Sequence, residues 1–73
     1  MNANDGFQVV ETVEQARMMG EQAAEETAEL IKGADLMAWA SAQFVAAAEA
    51  LKAGNRLMSA QLAAAGMRAS ELA

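Results

Sequence analysis

Residues 36–51 read LMAWASAQFVAAAEAL, and this apolar stretch determines which neighbours the fold must supply. The thirteen residues from Leu36 to Ala48 carry no charge, and they include the only tryptophan, Trp39, and one of the two phenylalanines, Phe44. Alanine dominates the stretch, and it has the highest helix propensity of all residues. A helix that is apolar on nearly every side is buried on most sides. We therefore expect a helix here that needs more than one neighbour.

The composition of the whole chain also favours helix. Alanine fills 20 of the 73 positions, and proline and tyrosine are absent. A chain of this length forms one small domain and usually needs partners or cross-links for stability. Without cysteine or histidine it has no disulfide framework, no thiolate metal site and no imidazole base. We expect an all-α, non-enzymatic protein with no catalytic residues, metal or cofactor, in a reducing, cytoplasmic setting.

The charge is unevenly distributed along the chain. Residues 1–35 carry eight acids and two bases, whereas residues 36–73 carry two acids and three bases, within a net charge of −5. Phosphate-backbone binding needs a basic face, so nucleic acid is an unsuitable partner. The longest uncharged run is shorter than the roughly 18 residues of a membrane span, which predicts no transmembrane segment.

The first half of the chain predicts one long helix after a short leader. Residues 1–6 (MNANDG) are polar and turn-rich, which is typical of a flexible leader. Residues 7–32 then repeat small or apolar side chains at alternating spacings of three and four, which is typical of a helical seam. Gly20 interrupts this seam, either because another helix approaches closely there or because the helix centre is weak. The seam consists of Val9, Val13, Ala16, Gly20, Ala23, Thr27 and Leu30.

The sequence KGAD at residues 32–35 predicts the main turn. Gly33 can adopt the left-handed conformation that ends helices, and Asp35 can cap the next helix. A second helix then runs from about residue 36 to residue 71, and Gly54-Asn55 either kinks it, breaks it or leaves it continuous. The expected fold is a helical hairpin domain at residues 7–73 within an oligomer. The alternative is a compact three-helix monomer broken at Gly33 and Gly54.

The second helix carries a predicted assembly surface. It combines an apolar seam with a row of alanines at every fourth residue, and such a shallow ridge lets a partner backbone come close. One helix of the same hairpin covers only one stripe, so another copy of the chain must cover the rest, in a closed oligomer or an open filament. The predicted interface consists of Met37, Ala38, Trp39, Ala42, Phe44, Ala46, Ala50, Leu51, Gly54, Met58 and Leu62.

Residues 45–73, VAAAEALKAGNRLMSAQLAAAGMRASELA, resemble a segment of the phasins, bacterial proteins that coat polyhydroxyalkanoate granules. The shared features are an alanine-rich helix, the small step at Ala53-Gly54, and leucines with a glutamine. The resemblance implies an amphipathic helical oligomer on a hydrophobic granule surface, which Trp39, Phe44, Leu51 and Leu62 would contact. Phasins are usually longer, and they carry more charge than this second half does.

A second resemblance is to the short alanine- and glutamine-rich subunits of R-body ribbons. The sequences VETVEQA at residues 10–16 and SAQFVAAA at residues 41–48 are similar to their pattern. This resemblance also implies self-assembly, in this case into an insoluble ribbon.

Overall fold

The computed structural model describes residues 11–73, and three α-helices account for most of this part of the chain. They are α1 (Val13–Ala28), α2 (Gly33–Lys52) and α3 (Arg56–Leu72). The all-α prediction is confirmed for the described residues, which contain no strand. In the second arm of the predicted hairpin two helices occupy residues 36–71, so of the three alternatives for Gly54-Asn55 the break is the correct one. The predicted leader, residues 1–6, lies outside the described residues.

The start of α1 is fixed by a reciprocal pair of side chains. Gln15 N donates to the Thr12 hydroxyl at 3.1 Å, and the Gln15 side-chain oxygen accepts from Glu11 N at 3.0 Å and Thr12 N at 3.2 Å. Thr12 itself is extended, with φ −129°. This capping box satisfies backbone donors that a helix start leaves free. It begins α1 at Val13, so the predicted helix does not run unbroken through residues 11 and 12, and its predicted start near residue 7 lies outside the described residues.

The turn between α1 and α2 differs in detail from its prediction. Helix α1 ends at Ala28, four residues before the predicted end at residue 32. Gly33 does take the left-handed conformation, with φ 59°. However, Lys32 is the cap residue of α2, and Asp35 lies inside the first helical turn. There the Asp35 carboxylate complements the positive end of the helix dipole rather than capping it.

Gly54 and Asn55 break the predicted long helix completely. Gly54 has φ 83°, a left-handed conformation that glycine adopts without steric cost. Gly54 N donates to Leu51 O at 3.0 Å and Asn55 N donates to Ala50 O at 2.9 Å, which is the Schellman pattern of a helix end. The Asn55 side chain then accepts from Met58 N at 3.0 Å and caps α3. The same two residues therefore end one helix and start the next.

Helix α3 folds back between the other two helices. It packs along both α1 and α2, which barely contact each other. Helix α1 runs parallel to α3, with Gly20 near Gln61 and Glu25 near Arg68, whereas α2 runs antiparallel to both. Leu36 is the only large side chain that is fully buried among the described residues. The rest of the buried apolar core is alanine: Ala16, Ala24, Ala40, Ala47, Ala64, Ala65 and Ala69.

Two glycines allow this close packing on either side of α3. A methyl group added to Gly20 of α1 would lie 3.0 Å from Ala65 N and still closer to the carbonyl oxygen of Gln61. One added to Gly66 of α3 would lie 3.0 Å from the Phe44 ring and 3.1 Å from the carbonyl oxygen of Ala40. The first alternative for Gly20, close approach of another helix, is therefore the correct one.

Substituting Gly54 tests the break between α2 and α3. At φ 83° we expect Gly54→Ala to cost about 1 kcal/mol, because a β-carbon is strained in the left-handed region. In a continuous helix the same change would stabilise by about 1 kcal/mol. Urea unfolding followed by far-UV circular dichroism at one chain concentration measures the sign. Gly54→Asn is the control, and its free energy of unfolding should fall less, since asparagine tolerates this conformation. A stabilised Gly54→Ala variant would contradict the break.

Substituting Gly20 tests the contact between α1 and α3. Gly20→Ala should destabilise by about 1–3 kcal/mol, because overpacking against a backbone outweighs the gain in helix propensity of about 1 kcal/mol. Gly66→Ala is the matched comparison, and its free energy of unfolding should fall less, since the Phe44 ring can move. The same urea titration measures both variants. A Gly20→Ala chain more stable than the wild type would show that α1 lies further from α3.

Candidate assembly interface

One flank of α2 carries a row of large apolar side chains that the chain leaves uncovered. Met37, Phe44 and Leu51 are 45%, 42% and 59% exposed. They recur every seven residues, about 10.5 Å apart along the helix, and so form one line. We call these three residues the α2 ridge. Contiguous exposed apolar residues of this size mark interaction sites more often than scattered ones do.

The position of the ridge follows from the way α2 contacts α3. Helix α2 buries Leu36, Ala40 and Ala47, and Ala47 O accepts a hydrogen bond from the Ser59 hydroxyl of α3 at 2.9 Å. This contact line sets Phe44 at one edge of the helix pair, over Gly66. Trp39 lies on the opposite edge, where it packs on the cluster of Leu36, Ala40, Ala24 and Ala69.

The structure leaves every residue of the predicted interface at least partly accessible. Trp39, Ala46, Ala50 and Leu62 are half-buried. The other seven are exposed: Met37, Ala38, Ala42, Phe44, Leu51, Gly54 and Met58. They do not form one surface, because helical periodicity sets the α2 ridge apart from the alanines at 38 and 42. Gly54 belongs to the helix break.

The molecule has two unequal broad faces, one on each side of α3. The first contains Met67, Ala60 and Ala63 of α3, and we call it the Met67 face. Because Trp39 packs on the cluster shared with α1, and the Phe44 edge of α2 is the opposite one, we infer that the α2 ridge borders the Met67 face. The second contains Leu62 of α3, together with the Trp39 edge of α2. The four residues that the phasin resemblance assigns to a granule surface divide between the two faces: Phe44 and Leu51 on one, Trp39 and Leu62 on the other.

A groove runs along the Met67 face between α1 and α3. Its cavity measures about 260 Å³, and its floor is formed by Ala60, Ala63 and Ala64, with Met67 at one side. The alanines make the floor smooth and apolar. Sequence reasoning missed this groove, since its two walls come from helices far apart in the chain. The small residues of α3 were the one feature of the sequence that could have indicated a groove.

Charged side chains form the rim of this groove. Arg17 and Glu21 come from α1, and Arg68 and Glu71 come from α3. Arg68 lies 3.0 Å from Glu71 and 3.2 Å from Glu25, so it joins α3 to α1. The hydrogen bonds to Glu71 and then Glu25 raise the pKa of the Arg68 guanidinium above its ordinary value. The contacts with Glu71 and Glu25 hold the Arg68 guanidinium at the edge shared by α1 and α3.

Other kinds of site find little support in the described part of the chain. Between residues 11 and 73, no three acidic side chains come together in a way that could hold a metal ion. None of the three helices is both long and apolar enough to cross a bilayer. The glutamates of α1 are exposed.

No known protein family, curated protein or solved structure matches this chain.

Proposed function

We propose that this protein is a structural protein that assembles with copies of itself, and that a second copy covers the α2 ridge. The observation that supports the proposal is the line of Met37, Phe44 and Leu51 on a helix whose inward side is already occupied by α3. Water around these side chains is released when another apolar surface covers them, which favours association.

A homo-oligomer fits this ridge better than the other partner classes do. The three ridge positions carry no charge, and the net charge of −5 opposes binding to a phosphate backbone. The packing of this chain already relies on alanine and glycine surfaces that accept neighbouring helices closely. Such surfaces on a second copy can receive large side chains in the same way.

Coating of a hydrophobic granule or lipid surface, as in phasins, is the second candidate. The α2 ridge also favours it, because a row of apolar side chains along one helix can lie on a flat apolar phase. Trp39 and Leu62 would then face away from that phase. To bring all four residues of the phasin resemblance onto one phase, the helices would have to separate, whereas self-assembly through the ridge leaves them in place.

A charge placed on the ridge tests the proposal. We expect the wild type to show an average mass above the 7.6 kDa of one chain, rising with concentration, in size-exclusion chromatography with light scattering. Leu51→Glu should weaken this association at least tenfold, because assembly would bury an unpaired carboxylate. Ala42→Glu is the matched control, since Ala42 is exposed on another side of α2, and it should assemble as the wild type does.

The outcomes separate the two candidates. Equal helix content by circular dichroism establishes that both variants remain folded. A wild type that stays monomeric at high concentration would contradict self-assembly. If that monomer binds apolar polymer beads and the Leu51→Glu variant does not, coating of an apolar surface replaces self-assembly as the proposed function.

A further inference from the structure

The ridge and the groove lie on the same face of the molecule, with α3 between them. We propose that two copies pack their Met67 faces together about a twofold axis parallel to α3, so that the α2 ridge of each copy enters the α1–α3 groove of the other. This inference rests on the proposed self-assembly and specifies its form. Because the twofold axis makes the two contacts reciprocal, both ridges and both grooves are used within one pair, and the assembly closes as a dimer rather than continuing as a filament.

The direction of the helices makes this arrangement possible. Helices α1 and α3 run parallel, and α2 runs antiparallel beside them. Rotation by half a turn about an axis along α3 keeps every residue at its height and exchanges the two flanks. Helix α2 of the second copy then lies over α1 and α3 of the first. An axis perpendicular to α3 would instead stack ridge on ridge and leave both grooves empty.

The heights of ridge and groove agree. Phe44 is level with Gly66, because its ring lies against that glycine. After the rotation, Phe44 of the second copy is level with Ala63 and Met67, inside the groove. Met37 lies two helical turns from Phe44, in the direction of the C-terminal end of α3. In the second copy it therefore comes level with the Glu71 end of the groove.

The surfaces have complementary shapes. The groove has a cavity of about 260 Å³ and an alanine floor, so it has room for large side chains but supplies none. The ridge supplies Met37 and Phe44 at the matching heights. Within the chain the Phe44 ring already lies against Gly66, which is one example of a large side chain packed on a small residue of α3.

The exposed apolar area is that of a small interface. Met67 is 59% exposed, like Leu51, and both lie on this face. With whole side-chain areas on the order of 200 Å², the ridge and Met67 present roughly 400 Å² per copy. Two copies would bury roughly 800 Å² from these residues alone, and the groove floors and rims bring the total toward the lower limit of about 1,200 Å² for specific interfaces.

The charges are arranged as at a protein interface. The centre of the Met67 face is apolar, and the charged side chains stand at the groove rim, where Arg17 and Arg68 are mixed with Glu21 and Glu71. An apolar centre with a polar rim is the usual composition of such surfaces. The alternation of sign at the rim avoids concentrated repulsion between copies of an acidic chain.

Cysteine cross-linking tests the arrangement. Because the chain contains no cysteine of its own, every disulfide formed involves an introduced residue. Chains carrying Met37→Cys are mixed with chains carrying Glu71→Cys and oxidised mildly. We expect a covalent heterodimer on non-reducing gels, at twice the 7.6 kDa chain mass. Ala42→Cys mixed with Glu71→Cys is the control, and it should give at least tenfold less product. A mixture of Met37→Cys with Leu51→Cys reports the ridge-on-ridge arrangement.

Each outcome has one consequence. Preferential linking of Met37→Cys to Leu51→Cys would overturn the groove arrangement while leaving self-assembly in place. A wild-type mass that grows beyond two chains would overturn the closed dimer. A wild type that remains monomeric would overturn both proposals. As a second variant, Ala60→Trp fills the groove floor, and we expect it to weaken dimerisation at least tenfold with unchanged helix content.

Discussion

The close approach of helix backbones on both sides of α3 is the constraint on which this structure depends. Gly20 lies against the backbone of Gln61 and Ala65, and Gly66 lies against Ala40 and the Phe44 ring. Contacts this close leave room for little more than alanine between the helices. The chain therefore obtains its packing from backbone proximity and many small dispersion contacts, rather than from a core of large side chains.

This manner of packing accounts for the exposed surface. A buried core made of alanine and one leucine cannot take in the larger apolar residues that the chain also carries. They stay at the edges of the helix contacts, as Met37, Phe44, Leu51 and Met67 do. The same feature that holds the three helices together thus leaves apolar side chains available to a partner. If the chain assembles as proposed, the size of the residues on α3 links folding to assembly.

The sequence predicted the helical class and the turn at Gly33, but it predicted the second break less well. Gly54 is compatible with a helix interior and with a helix end, and only the folding back of α3 onto α2 decides between them. The start of α1 could have been predicted from the sequence, since Thr12 and Gln15 have the spacing of a capping box. The prediction followed the apolar pattern instead and placed the start near residue 7. In α2, Leu36, Ala40 and Ala47 face α3. The predicted interface instead included Met37, Phe44 and Leu51, which point outward on the neighbouring stripe. A spacing of three and four does not separate neighbouring stripes on a helix that is apolar nearly all round.

The groove could not be predicted at all, because no local pattern brings α1 beside α3. Its position follows from α3 lying between two helices that barely contact each other. In a closed three-helix bundle each helix contacts both others, and the interior has one centre. Here one face of α3 meets both other helices in a single core cluster of Ala24, Leu36, Ala40 and Ala69, against which Trp39 packs. On the Met67 face the Phe44 ring covers Gly66, but no aromatic side chain of residues 11–73 lines the groove between α1 and α3. Because a domain generally requires two packed layers of secondary structure, this face is the one that a second copy would complete.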